Sequence, residues 1–179
     1  MRALIATALL GAMGFTGTVL AEEFPLTGKN TKIEFTGKKP QGKHDGGFET
    51  VTGKATVKDG KPTSLELEVE IDTTSIYTDT PKLTAHLKSN DFFAVKDFPK
   101  AKFVSTKVEK ADNAYTVTGD LTLLGKTKSI SFPAGIVVSG SELKLNTTFK
   151  INRQDFGMSF GKGKIDDEVT LKVSLKAAK

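Results

Sequence analysis

The segment Ser64–Asp72, SLELEVEID, alternates without a break. Leu65, Leu67, Val69 and Ile71 fall on one side, and Glu66, Glu68, Glu70 and Asp72 on the other. A period of two describes a strand with one face buried and one face wet. The same period recurs in Tyr115–Leu123, Ser129–Val138, Glu142–Asn152 and Glu168–Lys176. It is weaker in Lys32–Gly37, Gly47–Val57 and Ala101–Lys110. Eight strands are therefore expected, several of them separated by turn signals such as KDGK, KADNA and SGSE. Each strand has an apolar face to bury, and only one short helix is available to cover it. Closing the sheet on itself solves this without a cover. The expected fold is all-β: an eight-stranded antiparallel β-barrel, with a packed two-sheet sandwich as the alternative.

One stretch, roughly residues 80–90, breaks the alternation. Thr80 stands where a helix cap is needed and Pro81 where the first helical turn tolerates proline. Leu83 and Leu87 are four apart and share a face. Asp91-Phe92-Phe93 follows the helix, and Phe98-Pro99 turns the chain back into an extended strand.

Residues 1–21 read as a secretory leader: Arg2, an apolar run, and small residues before Glu22-Glu23. The run is too short and too rich in Gly and Ala to suit a transmembrane helix, although an uncleaved anchor is the alternative. Residues 22–179 then form a single domain, expected in the periplasm or outside the cell. The chain carries 26 Lys or Arg against 21 Asp or Glu, for a net charge of +5. Its lysines are spread over turns and strand ends without interleaved aromatics, so a nucleic-acid partner is not expected.

The chain has no Cys, and its histidines are His44 and His86. Neither lies in an H-x-x-x-H spacing, so no metal or other cofactor is expected. Between Gly119 and Gly125 the GDLTLLGKT segment is one residue too long for a phosphate loop, and it alternates as a strand does. Carboxylates alternate outward, and no pair of them suggests acid–base work. No catalytic residue is assigned. An enzyme using one of the histidines, and a binding protein with a packed lumen, are the competing readings. The inward faces are aliphatic and aromatic, which suits either a solid core or a container for an apolar ligand.

Four ordered motifs carry a family resemblance. They are HLKSNDFFAVKDFPKAKFVSTKV from His86, VTGDLTLLGKTKSISFPAGI from Val117, INRQDFGMSFGKGKIDDEVTLKVSLKA from Ile151, and the opening GKKPQGKHDGGFETVTGKATV. Together they make the chain similar to the YceI-like polyisoprenoid-binding proteins over nearly all of residues 31–177. The resemblance implies a lipocalin-like barrel and a bacterial carrier that holds a polyisoprenoid, isoprenoid quinone or fatty-acid-like amphiphile. It implies no cofactor. Transient contact with a membrane is expected, as is a monomer or dimer.

Under that resemblance the ligand-lining candidates are positions on the lumen and its mouth. From the first strands they are Phe35, Phe48, Leu67, Val69 and Ile71. The central segment adds Leu83, His86, Leu87, Phe92 and Phe93, as a lid or plug. Later strands add Phe103, Val117, Leu121, Phe132, Phe149 and Ile151, and the glycine-rich loop adds Phe156 and Met158. Arg153 and Asp155 are two apart and are expected either to brace that loop as a pair or to offer Arg153 to a ligand head group.

Overall fold

The alternation in the sequence becomes β-structure throughout the computed structural model, which describes residues 20–179. The expected leader lies almost wholly outside the described residues. Eleven strands join one sheet: β1 (Ala21–Thr27), β2 (Thr31–Lys39), β3 (Gly42–Phe48), β4 (Val51–Lys58), β5 (Glu66–Asp72), β6 (Ile76–Thr78), β7 (Lys100–Ala111), β8 (Ala114–Leu123), β9 (Lys126–Ser139), β10 (Glu142–Asn152) and β11 (Glu168–Ala178). All pair antiparallel.

Eleven strands replace the expected eight because three staves of the wall bend in the middle. β1 and β2 form one stave, broken at Gly28–Asn30. β1 pairs with β4, and β2 pairs with β3. β3 and β4 are separated by Glu49 and Thr50 alone. β5 and β6 are separated by a 3-10 turn at Thr73–Ser75, and they pair with β4 and β3 in turn. Backbone bonds from Glu49 N to Ser75 O and from Asp72 N to Thr50 O carry the ladder round both corners. The wall is thus a meander in which each stave pairs with the next, and β11 returns to β2. Closure in this way leaves little free edge.

Tight turns suit their sequence. Asp59 (φ 52°) and Gly60 (φ 63°) both sit in the left-handed region between β4 and the next 3-10 turn, the conformation that favours Asp-Gly. The ladder between β9 and β10 is shorter than either strand. It stops at Asn146↔Gly135. Beyond that point side chains take over: the Thr147 hydroxyl bonds the Pro133 carbonyl, and the Phe132 and Phe149 rings stack 4.2 Å apart at an interplanar angle of 9°.

Helix α1 spans Pro81–Leu87, three residues shorter than expected. Thr80 caps it by accepting from Leu83 N at 3.3 Å, with Pro81 in the first turn. The end comes early because Ser89 competes for the helix carbonyls. Its hydroxyl and its backbone N–H both donate to His86 O, at 2.8 and 3.0 Å. Turns then run to Phe98, with Ala94 in the left-handed region at φ 42°.

The core occupies the half of the barrel where Glu22 and Lys179 meet. Phe24, Val57, Val117, Leu143 and Ala177 are completely buried there. A salt bridge of 2.7 Å from Lys179 Nζ to Glu22 Oε1 ties the two ends of the domain together at that pole.

Candidate functional site

At the opposite pole the barrel holds a cavity of about 240 Å³. Its wall comes from the mouth ends of the staves. Ile33 and Phe35 stand on β2, Ile71 on β5, Leu121 and Leu123 on β8, and Ile151 on β10. The central segment lies across the opening. Leu83, His86 and Leu87 of α1 face the cavity, as do Phe92 and Phe93 from the turns that follow. Met158, Phe160 and Ile165 from the loop before β11 complete the rim.

An aromatic seam joins lid and wall. Phe93 meets Phe48 edge-on with ring centroids 5.6 Å apart, and Phe48 meets Phe35 at 6.0 Å. On the other side the Phe92 ring lies 5.4 Å from Phe160. His86 fits between them, edge-on to Phe92 at 5.0 Å and to Phe160 at 4.8 Å. Such ring pairs add about 0.5–1.5 kcal/mol each beyond their buried area. The lid is also held by the Thr84 hydroxyl of α1, which accepts from Thr78 N of β6 at 3.0 Å, and by the packing of Leu87 with Ile76.

Polar groups fix the segment's own shape. His86 Nε2 bonds Asp91 Oδ2 at 2.8 Å, within the lid and not to the barrel rim. His44 Nδ1 stands 3.1 Å from both oxygens of Asp79, joining β3 to the turn that leads into α1. Both imidazoles border the cavity, and Lys38 and Lys39 stand beside them. The cavity is almost wholly apolar, and these four polar residues border it among apolar rim side chains. Nearby, Asp45 accepts from the Thr36 hydroxyl at 2.6 Å and from Lys43 at 2.9 Å. These two bonds, the Thr36 bond first, hold its carboxyl below the usual carboxylate range.

Arg153 takes a different place from the one its spacing to Asp155 suggests. It is 3% exposed, while Asp155 lies on the surface. Its Nε donates to Asp166 O at 3.0 Å. Nη1 donates to Met158 O and to Phe160 O, and Nη2 to Ile165 O and Asp167 Oδ1. All five guanidinium donors are thus used within the protein. Arg153 is the pin of the mouth loop and is not open to a head group; its ion partner is Asp167 and not Asp155.

Several candidates from the sequence lie elsewhere. Leu67, Val69, Val117 and Phe156 are buried in the core. Phe132 belongs to that buried core and Phe103 and Phe149 pack against it, and none of the three borders the cavity. Their phase points them inward as expected, but depth along the axis removes them from the cavity. Other residues line it that the motifs do not mark. Ile33, Val169 and Leu171 share the inward phase of their strands, and that phase is the available signal. Phe160 shares the glycine-rich loop of Met158, and that loop is its only signal; Ile165 has none, because the loop has no period. Among the described residues no group of three or more His, Cys, Asp or Glu side chains stands close enough to hold a metal ion.

Comparison with known proteins agrees with this architecture. Residues 24–177 match the YceI-like domain. A UPF0312 protein of Pseudomonas putida (strain W619) is 33% identical over 141 residues, covering 75% of this chain and 73% of that protein. Protein YceI of Escherichia coli O157:H7 is 31% identical over 137 residues, covering 73% and 72%. Among solved structures, Burkholderia cenocepacia BcnA superposes with a TM-score of 0.76 at 25% identity, over 83% of this chain and 96% of its own. A polyisoprenoid binding domain from Saccharophagus degradans shares the fold at a TM-score of 0.68 and 13% identity, over 87% and 97%. A match over almost the whole barrel, with relatives above 30% identity, shows that the chain belongs to the YceI-like family.

Proposed function

We propose that this protein is an exported carrier for an amphiphile, a polyisoprenoid, isoprenoid quinone or fatty-acyl compound whose tail enters the barrel. The observation that carries this reading is the apolar cavity under an aromatic lid, with Lys38, Lys39 and His44 at its edge. Burying a tail there is worth about 0.8 kcal/mol per methylene, enough to hold a short chain after ordering costs. The polar edge leaves the head group in water or among the lysines. The family of the chain and its likeness in fold to the polyisoprenoid binding domain of Saccharophagus degradans support the same reading. The protein acts by sequestration and release, with no bond made or broken.

Release takes place at a membrane. Phe160 is 43% exposed and is followed by Gly161, Lys162, Gly163 and Lys164. An apolar ring beside two lysines is attracted to an anionic leaflet at roughly 1 kcal/mol per lysine. Residues 1–21 act as the leader that brings the domain to the periplasm.

Native mass spectrometry of the exported protein tests the carrier reading. The expected result is a bound lipid whose mass identifies tail and head. A protein that purifies empty and takes up no offered amphiphile sinks the reading. Turnover of such a lipid, lost in His86→Ala while affinity persists, would replace it with an enzyme.

A further inference from the structure

The lumen is not equally open along its axis. The strand residues that line the cavity come from the mouth ends of the staves, and β9 contributes none. One inward-facing position deeper stand Val69 on β5, Phe103 on β7, Phe149 on β10 and Val173 on β11, and none of these borders the cavity. In this layer Phe103 meets Phe132 at 5.7 Å, and Phe132 stacks on Phe149 at 4.2 Å. The three rings form a continuous run over β8, from β7 to the adjacent β9 and β10. Gly119 of β8 makes room for them: a Cβ there would lie 2.5 Å from Cζ of Phe103. Below the rings the interior is solid, with Leu26, Val57, Val117 and Leu143 at most 2% exposed.

We propose that Phe103, Phe132 and Phe149 form the floor of the binding cavity and set the longest tail that the barrel encloses. This inference rests on the carrier reading above. The space over the floor, about 240 Å³, is below the roughly 300–1,000 Å³ of pockets that enclose a drug-sized ligand. A tail of a few isoprene units, or an acyl chain of similar length, fills it. A long polyprenyl chain enters only by its end, and its remaining carbons stay outside the mouth. The floor is also the part of the wall joined by side chains, because the β9–β10 ladder has ended at Asn146↔Gly135. Trimming Phe132 or Phe149 leaves every backbone ladder bond in place but loosens the stacked contact that joins β9 to β10 here.

The test is affinity against chain length for straight-chain fatty acids and prenyl alcohols of increasing size, by displacement of a fluorescent fatty acid. In the wild type, affinity rises about fourfold per added methylene until the tail meets the floor, and then levels. Phe132→Ala and the milder Phe149→Leu move the break to longer chains. Leu143→Ala, which opens space beneath an intact floor, weakens the fold but leaves the break in place. The inference is overturned if wild-type affinity climbs without a break to the longest chain. It is also overturned if folded Phe132→Ala and Phe149→Leu both keep the wild-type break. Should no member of either series bind the wild type, the carrier reading fails and the floor with it, which separates the two failures.

Discussion

Arg153 Nη2 and Asp167 Oδ1 are 3.1 Å apart, joining the end of β10 to the residue just before β11 across the whole mouth loop. Gln154 Nε2 donates to the same Asp167 oxygen at 2.7 Å. Around this pair, backbone carbonyls of the loop converge on one buried guanidinium.

Arg153→Ala should destabilise the protein by on the order of 2–3 kcal/mol, because several loop carbonyls lose their donor together. Arg153→Lys should recover little of it, since an ammonium cannot reach the same set of acceptors in one plane. Asp155→Ala should leave stability unchanged within about 0.5 kcal/mol. Urea unfolding of the three variants checks this. A destabilised Asp155→Ala beside a stable Arg153→Ala would reverse the assignment.

The lid should contribute to affinity through Phe93. Its ring borders the cavity and packs edge-on against Phe48. Phe93→Ala is expected to weaken binding of an enclosed tail about tenfold, because the tail then has no ring above it to pack against. Titration with a fluorescent fatty acid reads this directly, and unchanged affinity would show that the tail does not reach the lid.

The His86–Asp91 bond lies on the surface of the lid, with side chains 39% and 48% exposed. Pairs this exposed are worth at most about 1 kcal/mol. Asp91→Asn should accordingly lower the melting temperature by no more than about 4 °C. Calorimetry that found a much larger loss would make this bond the main hold on the lid.

Gly119 is required by the ring above it and by the neighbouring strand. A Cβ would lie 2.5 Å from both Phe103 Cζ and Val104 O, and the backbone oxygen cannot turn away. Gly119→Ala should cost about 1–3 kcal/mol through overpacking. Gly37→Ala, where a Cβ meets nothing within 4 Å, is the control and should be near neutral in the same unfolding assay.

Asp45 supplies a small acid dependence. Its carboxyl is held low in the folded protein, chiefly by the Thr36 hydroxyl and then by Lys43. The stabilisation is therefore present above the usual carboxylate pKa and is lost as pH falls through the lowered folded value. Asp45→Asn should remove this small stabilisation at neutral pH and flatten the acid limb, so that variant and wild type converge as pH falls. Melting temperatures measured across the acid range test the sign.

Much of the barrel is legible in the sequence because strand period and side-chain direction are local properties. Leu67, Val69 and Ile71 alternate in sequence and are buried alternately in the wall. The weak strand at Ala101–Lys110 has a physical cause. The register slips between Ser105 and Lys107, so inward-facing Phe103 and Val108 fall in opposite phases. β1 gives a faint signal because Phe24 and Leu26 flank a proline, which its outer position tolerates. The mouth loop is least legible: an irregular segment takes its shape from a distant donor such as Arg153, and no period announces that.

The sequence by itself determined the class of fold, the staves, most of the inward faces and the interruption at Pro81. Alternation and capping act within a few residues, so they can be read along the chain. Only the tertiary structure decided how deep each inward residue lies. Phe35 and Phe132 are alike in type and both point inward, yet one lines a cavity and the other helps to close it. The difference is which rings from β7, β9 and β10 arrive at the same height, and that is set by the stagger of paired strands around the barrel.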